Sequence, residues 1–226
     1  SGHPLGANEA ASIAEGRRIL TACGLEPRRE PDLYTALELM IAGSTFDARP
    51  SAAAALDPEG NDNSAELAAG GGALAPRLRP WLQQAHPQMA AEPAVARGLH
   101  LACVAADLDT ANVGEDFLGL CRSAVQLAEE REMRAGRRLG APFSAAPCRE
   151  FLMQAQLRYL DELHRFASAE GEAWLGARKR DNRARMEALV RSLETADCAF
   201  QRAANGQAVL AAFSEAALAQ DRLPPA

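Results

Sequence analysis

Apolar residues recur at helical spacing through most of this chain, and the places where the spacing lapses mark its joints. The first periodic run predicts a helix from Asn8 to Cys23, with Gly24 in the left-handed C′ position and Leu25 supplying the contact just beyond it. A second opens at Pro31, whose missing N–H costs nothing in a first turn. Leu33, Leu37, Met40 and Ile41 mark one face of it, and Gly43 ends it.

From Asp57 to Ala75 the pattern fails. Pro-Glu-Gly-Asn-Asp-Asn and three consecutive glycines bury too little apolar surface to offset the entropy of ordering them, so this stretch reads as a flexible loop rich in Gly, Ala and Pro. Gly70-Gly71-Gly72 is no phosphate loop, because no Gly-Lys-Ser/Thr follows it. The four prolines between Pro76 and Pro93 allow a short helix at most, with Trp81 as a plug for the core.

Helical spacing returns at Ala94 and holds to Asp109. Asn112, with Glu115 three residues on, forms a capping-box pattern for the next helix. Phe117, Leu120, Cys121, Ala124, Leu127 and Ala128 give that helix an apolar face, and Arg137, Arg138 and Gly140 fit its end. A third helix is predicted from Pro147 to Glu170 on the stripe Leu152, Ala155, Tyr159, Leu163 and Phe166, with Gly171 as the break. A fourth then runs to Ala204, with Met186, Leu189, Val190, Leu193 and Phe200 inward. Asn205-Gly206 stops it, and a short last helix covers Gln207 to Gln220.

No stretch alternates apolar with polar long enough to make a strand. The expected fold is therefore all-α: a helical bundle of about four core helices over residues 94–204, with an N-terminal helical pair beside it. The corresponding division is 1–56 for the pair, 57–93 for the loop and proline-rich connector, and 94–222 for the bundle, the whole being compatible with one domain.

Composition sharpens this picture. Hydrophobic residues make up 48% of the 226 but aromatics only 5%, so the core depends on close approach of thin, alanine-rich helices rather than on bulky rings. Net charge is −6, which argues against general affinity for nucleic acid or anionic membrane. Lys179 is the single lysine. Five widely spaced cysteines without a CxxC pair form neither a disulfide framework nor a zinc set, which points to a cytoplasmic or otherwise intracellular, reducing compartment. No apolar run approaches membrane-spanning length. The termini, Ser-Gly-His-Pro and Arg-Leu-Pro-Pro-Ala, read as those of a piece excised from a larger protein.

Two groups of residues could carry chemistry. His100, Cys103 and Asp107 fall on one side of their predicted helix, but His100 and Asp107 stand roughly 10 Å apart along its axis, too far to share a metal without help from a second helix. Asp161-x-x-His164 is the available helper, with the spacing of one carboxylate-histidine element of a di-iron bundle but no second element to match. The set is thus a lesser metal or enzyme candidate, and no metal or cofactor is assigned. Cys148 lies in the first turn of a predicted helix, where the dipole favours a thiolate. Asp197, on the arc of Met186, Val190 and Leu193, reads as a carboxylate that is buried and paired.

The second group is the basic run Arg178, Lys179, Arg180, Arg183 and Arg185. Its charges point in all directions around a helix, so the run is expected to project past the bundle or form a loop. It lacks aromatic residues for stacking on bases, which favours an acidic protein as its partner over nucleic acid. The sequence thus leads to a helical interaction, scaffolding or regulatory domain that docks partners through charged surface. The alternatives are a helical enzyme for a small molecule or metal, using His100, Cys103 and Asp107, and nucleic-acid binding through 178–185.

Overall fold

Helix dominates the computed structural model, which describes residues 6–47 and 72–222, and the chain is all-α as its periodicity predicts. Most of the loop expected at 57–75 lies outside the described residues. Strand is confined, among the described residues, to a two-residue antiparallel pairing of Phe46–Asp47 with Gly72–Ala73. The helices gather into two units. One comprises Ser1–Thr110 and Leu163–Trp174, the other Ala111–Glu162 and Leu175–Ala226. The helix beginning at Pro93 therefore groups with the N-terminal pair and the connector.

In the first unit the helices are Ala7–Ala22, Pro31–Gly43, Ala75–Ala85, Pro87–Ala90 and Pro93–Asp109. Gly24 takes the expected left-handed conformation, with φ of 82°. Tyr34, buried, donates its hydroxyl to the Leu25 carbonyl at 2.6 Å and ties the end of the first helix to the second. The helices Pro31–Gly43 and Pro93–Asp109 pack extensively, and Gly98 makes their approach possible, because a Cβ there would overlap Leu39. Leu74, Leu78, Leu82, Val95, Leu99 and Ala102 form the core, and Trp81 is only partly buried against it rather than plugging it.

The third predicted helix stops earlier than its stripe suggested. Ala145–Glu150 continues through a π-helical turn at Phe151–Ala155, one α turn at Gln156–Arg158 and a second π-helical turn at Tyr159–Leu163, and it goes no further. The next helix, Ala169–Leu193, begins before Gly171 and contains it. The reason lies on another helix. Asp107 is buried, and its carboxylate accepts hydrogen bonds from Ala167 N at 2.7 Å, Ser168 N at 2.9 Å and Ser168 Oγ at 2.5 Å, while Ser168 Oγ accepts from Gly171 N at 2.9 Å. The carboxylate fixes the two residues before the long helix, and Ser168, so held, satisfies one of the helix's own opening donors. Gly171 faces this carboxylate so closely that a Cβ would overlap it, which makes the glycine a packing requirement and not a helix break.

In the second unit, Asp116 rather than Asn112 caps Phe117–Arg134, accepting from Gly119 N at 2.7 Å; Asn112 sits in a preceding 3-10 turn, Ala111–Gly114. That helix ends at Arg134, before the predicted arginines, because Gly136 adopts φ of 68° and Arg137 turns back onto the buried Glu132 in a two-pronged bond, 2.6 Å on each arm. The long helix ends at Leu193, and the helix expected to reach Ala204 resumes only as Ala199–Arg202. Asp197 lies in the gap and is exposed, so it is no buried carboxylate. Asn205 caps Gly206–Asp221 through Ala208 N. Phe117, Leu120, Leu152, Met186, Leu189, Phe200 and Phe213 are buried, whereas Leu127, expected inward, is 44% exposed.

Two substitutions test the helix start. Asp107→Ala leaves three part-buried donors without their acceptor and is expected to lower the free energy of unfolding by about 1–3 kcal/mol. Gly171→Ala, which forces the carboxylate to move, is expected to cost about 1–3 kcal/mol. Asp181→Ala, at an exposed position on the same helix, should stay within about 0.5 kcal/mol. Urea denaturation followed by circular dichroism measures all three.

Candidate functional site

The stripe read from the sequence is split by the structure. Asp107 is turned to the start of the long helix and occupied there, and His164 is buried, with Nε2 3.1 Å from Thr110 Oγ1 and its ring edge-on to Phe166 at 4.8 Å. The Thr110 hydroxyl already donates to the Ala106 carbonyl at 3.0 Å, so it receives its bond from an Nε2–H of His164. Neither residue joins His100 and Cys103 as a ligand set. Among the described residues no group of three or more His, Cys, Asp and Glu is placed to hold a metal ion.

His100 and Cys103 do come together, lining an open cleft of about 470 Å³ in the first unit with Arg79, Ser168 and Glu170. His100 Nε2 lies 3.5 Å from the Glu170 carboxylate. Glu170 and Arg79 were not singled out by the sequence, and spacing could not have found them, since each reaches the cleft from a different helix. Burial, with Asp107 adding to it, pushes the Cys103 thiol up. Thiols in the second unit behave alike. Burial raises Cys121 to about 12 and raises Cys148, the latter helped by the neighbouring Glu132. The expectation that a helix start would favour a Cys148 thiolate is thus reversed, because desolvation and a carboxylate outweigh the dipole of a six-residue helical segment.

The basic run is helical throughout, within Ala169–Leu193, and neither projects as a loop nor is solvated on every side. Asn182 is buried in its middle and donates its amide to the carbonyls of Val113 and Glu115, both at 2.9 Å. One neutral residue with two backbone acceptors gives the run an inner face that the charge count alone had excluded. Arg183 grips Asp161 with two bonds, 2.9 and 3.2 Å, and reaches Glu187 at 2.5 Å, and these carboxylates hold its guanidinium protonated beyond its ordinary range. Arg185 pairs with Asp221 at 2.5 Å and lies over the Phe117 ring, 4.3 Å from its centre. Arg178 and Arg180 are exposed, the former 3.4 Å from the Gly114 carbonyl, and Lys179 is half-buried. Two arginines of the run are therefore committed to named carboxylates within the second unit.

Among the described residues no helix is long and apolar enough to cross a membrane. All five cysteines are free, and Cys23 alone among them is exposed. Alkylation at neutral pH should therefore modify Cys23 first and spare Cys121 and Cys148 until denaturant is added, as peptide mass spectrometry would reveal. The folded state raises the Cys121 pKa from 9.0 to about 12. Its contribution to stability is then complete below pH 9 and is lost as pH rises toward 12, a decline that Cys121→Ala should remove from a plot of stability against pH. Comparison of the chain with protein-family models, with curated proteins and with solved structures finds no match.

Proposed function

We propose that this chain is a helical interaction domain that docks an acidic partner protein through the arginine-bearing surface of its long helix. The observation that carries the reading is the setting of Arg178 and Arg180. They are exposed on a helix whose next two arginines, Arg183 and Arg185, are clamped to Asp161, Glu187 and Asp221. A cationic surface on so braced a scaffold spends little conformational entropy on binding. Electrostatic complementarity of this kind gives specificity and a fast association rate. The net charge of −6 and the absence of aromatic residues between 178 and 185 favour an acidic protein over nucleic acid.

The enzymatic alternative has less support, since Asp107 is spent on a helix start and the Cys103 thiol is held protonated. The free cysteines suit a reducing compartment.

Affinity purification with the full chain is expected to recover a partner that the R178E/R180E double variant loses by about tenfold or more. Circular dichroism establishes that the variant is folded. Equal recovery by both proteins would refute the reading, and steeply salt-dependent binding of single-stranded DNA through the same arginines would replace the acidic protein with nucleic acid.

A further inference from the structure

The second unit carries an apolar groove between the helices Phe117–Arg134 and Gly206–Asp221. Leu118, Cys121, Val125, Ser214, Ala217 and Leu218 line it, and its volume is about 230 Å³. Small residues form part of this lining, so the two helices leave a trough between them. Leu218, at its edge, is 47% exposed.

Arg122 is the charged residue in the groove's lining, and Asp221, near enough to Cys121 to act on its thiol, is paired with Arg185. Arg122, exposed, lines it one turn beyond Leu118, and Arg222, exposed at the end of the other helix, lies one turn beyond Leu218. Each leucine thus has an arginine four residues on, on the same side of its helix. The other arginines described in this unit often have carboxylates: Arg137 has Glu132, Arg158 has Glu162, Arg183 has Asp161, and Arg185 has Asp221. Arg122 and Arg222 have no ion pair among the described residues. Their helical neighbours explain this, since positions three and four away from Arg122 are Leu118, Gly119, Val125 and Gln126, and those before Arg222 are Leu218 and Ala219.

We infer that this groove is a docking site for an acidic amphipathic helix of a partner protein, whose apolar side chains enter the trough and whose carboxylates meet Arg122 and Arg222. A helix laid in a groove presents anchors at i, i+3 or i+4, and i+7, which matches a trough bounded by two leucine-bearing helices. Apolar contact supplies the affinity, while the two arginines select acidic over basic helices. The inference rests on the reading that the chain docks an acidic protein, and it adds a second contact surface to that of Arg178 and Arg180.

The probe is a synthetic amphipathic helix with leucines along one face and glutamates flanking them, paired with a version carrying lysines in place of the glutamates. Fluorescence polarisation gives affinity for the full chain, and hydrogen exchange gives the footprint. The glutamate helix is expected to bind and to protect 118–125 and 214–218. R122E/R222E should weaken it at least about tenfold and favour the lysine helix instead, and Leu218→Asp should weaken both. Circular dichroism shows that each variant keeps its fold.

Absence of binding, or equal binding of the two helices, would overturn the groove. Loss of binding with R178E/R180E but not with R122E/R222E would also overturn it while leaving the docking reading intact. Concentration-dependent dimerisation abolished by Leu218→Asp would overturn it by making a second copy of the chain the occupant.

Discussion

The carboxylate of Asp107 decides where the longest helix of this protein begins. A helix start exposes backbone N–H groups with no partner inside the helix, and burying them unpaired costs more than almost any local preference of the sequence. Here Ser168 answers Gly171 N inside the first turn, and Asp107 holds Ser168 in place by accepting from its N–H and from that of Ala167, just before the helix. Once those bonds are made, the preceding apolar stripe cannot continue through residues 164–168. It closes at Leu163 through two π-helical turns, and Gly171 is drawn against the carboxylate. One acidic side chain on an earlier helix thereby sets the end of one element, the start of another and the need for a glycine inside the second.

The same economy governs the rest of the charge. Burial of Glu132 is balanced by Arg137, which curls back past the left-handed Gly136, and the ends of several segments are held by arginine or serine bonds to backbone carbonyls. A buried carboxylate must be paired or neutralised, and a guanidinium with a planar fork is well suited to the task. With almost no lysine in the chain, arginine serves both as an internal clamp and as exposed charge. Which arginine does which depends on whether a carboxylate lies within reach in three dimensions. Arg183 and Arg185 find theirs at Asp161 and Asp221, distant in sequence, while Arg122 and Arg222 have none among the described residues.

Much of the fold was legible in the pattern of apolar residues. The helices at the N-terminus, the one beginning near Ala94 and the last one were placed to within a few residues, because amphipathic periodicity, Pro at helix starts and Gly at helix ends act locally. The failures share a cause. The spacing makes Asn112 a cap where Asp116 is the one that caps, Gly171 a break where it is a packing requirement, and Asp197 part of a buried arc where it is exposed; long-range contacts and the actual helix ends override each local rule. For the candidate site, His100 and Cys103, grouped by their spacing, line one cleft. Spacing could not exclude Asp107 and His164, whose partners are Ser168 and Thr110, nor supply Glu170 and Arg79.

The sequence by itself determined the class of this protein, since alanine-rich amphipathic periodicity with few β-branched residues leaves helix as the arrangement that buries the apolar surface. It also determined an acidic chain with one dense basic run and thiols at scattered positions. Tertiary structure alone decided which polar groups are spent and which are presented. Asp107 faces a helix start, Asn182 faces two carbonyls inside an otherwise charged run, and burial keeps Cys121 and Cys148 protonated. These outcomes depend on desolvation and on hydrogen-bond partners tens of residues away, and neither is encoded in local spacing.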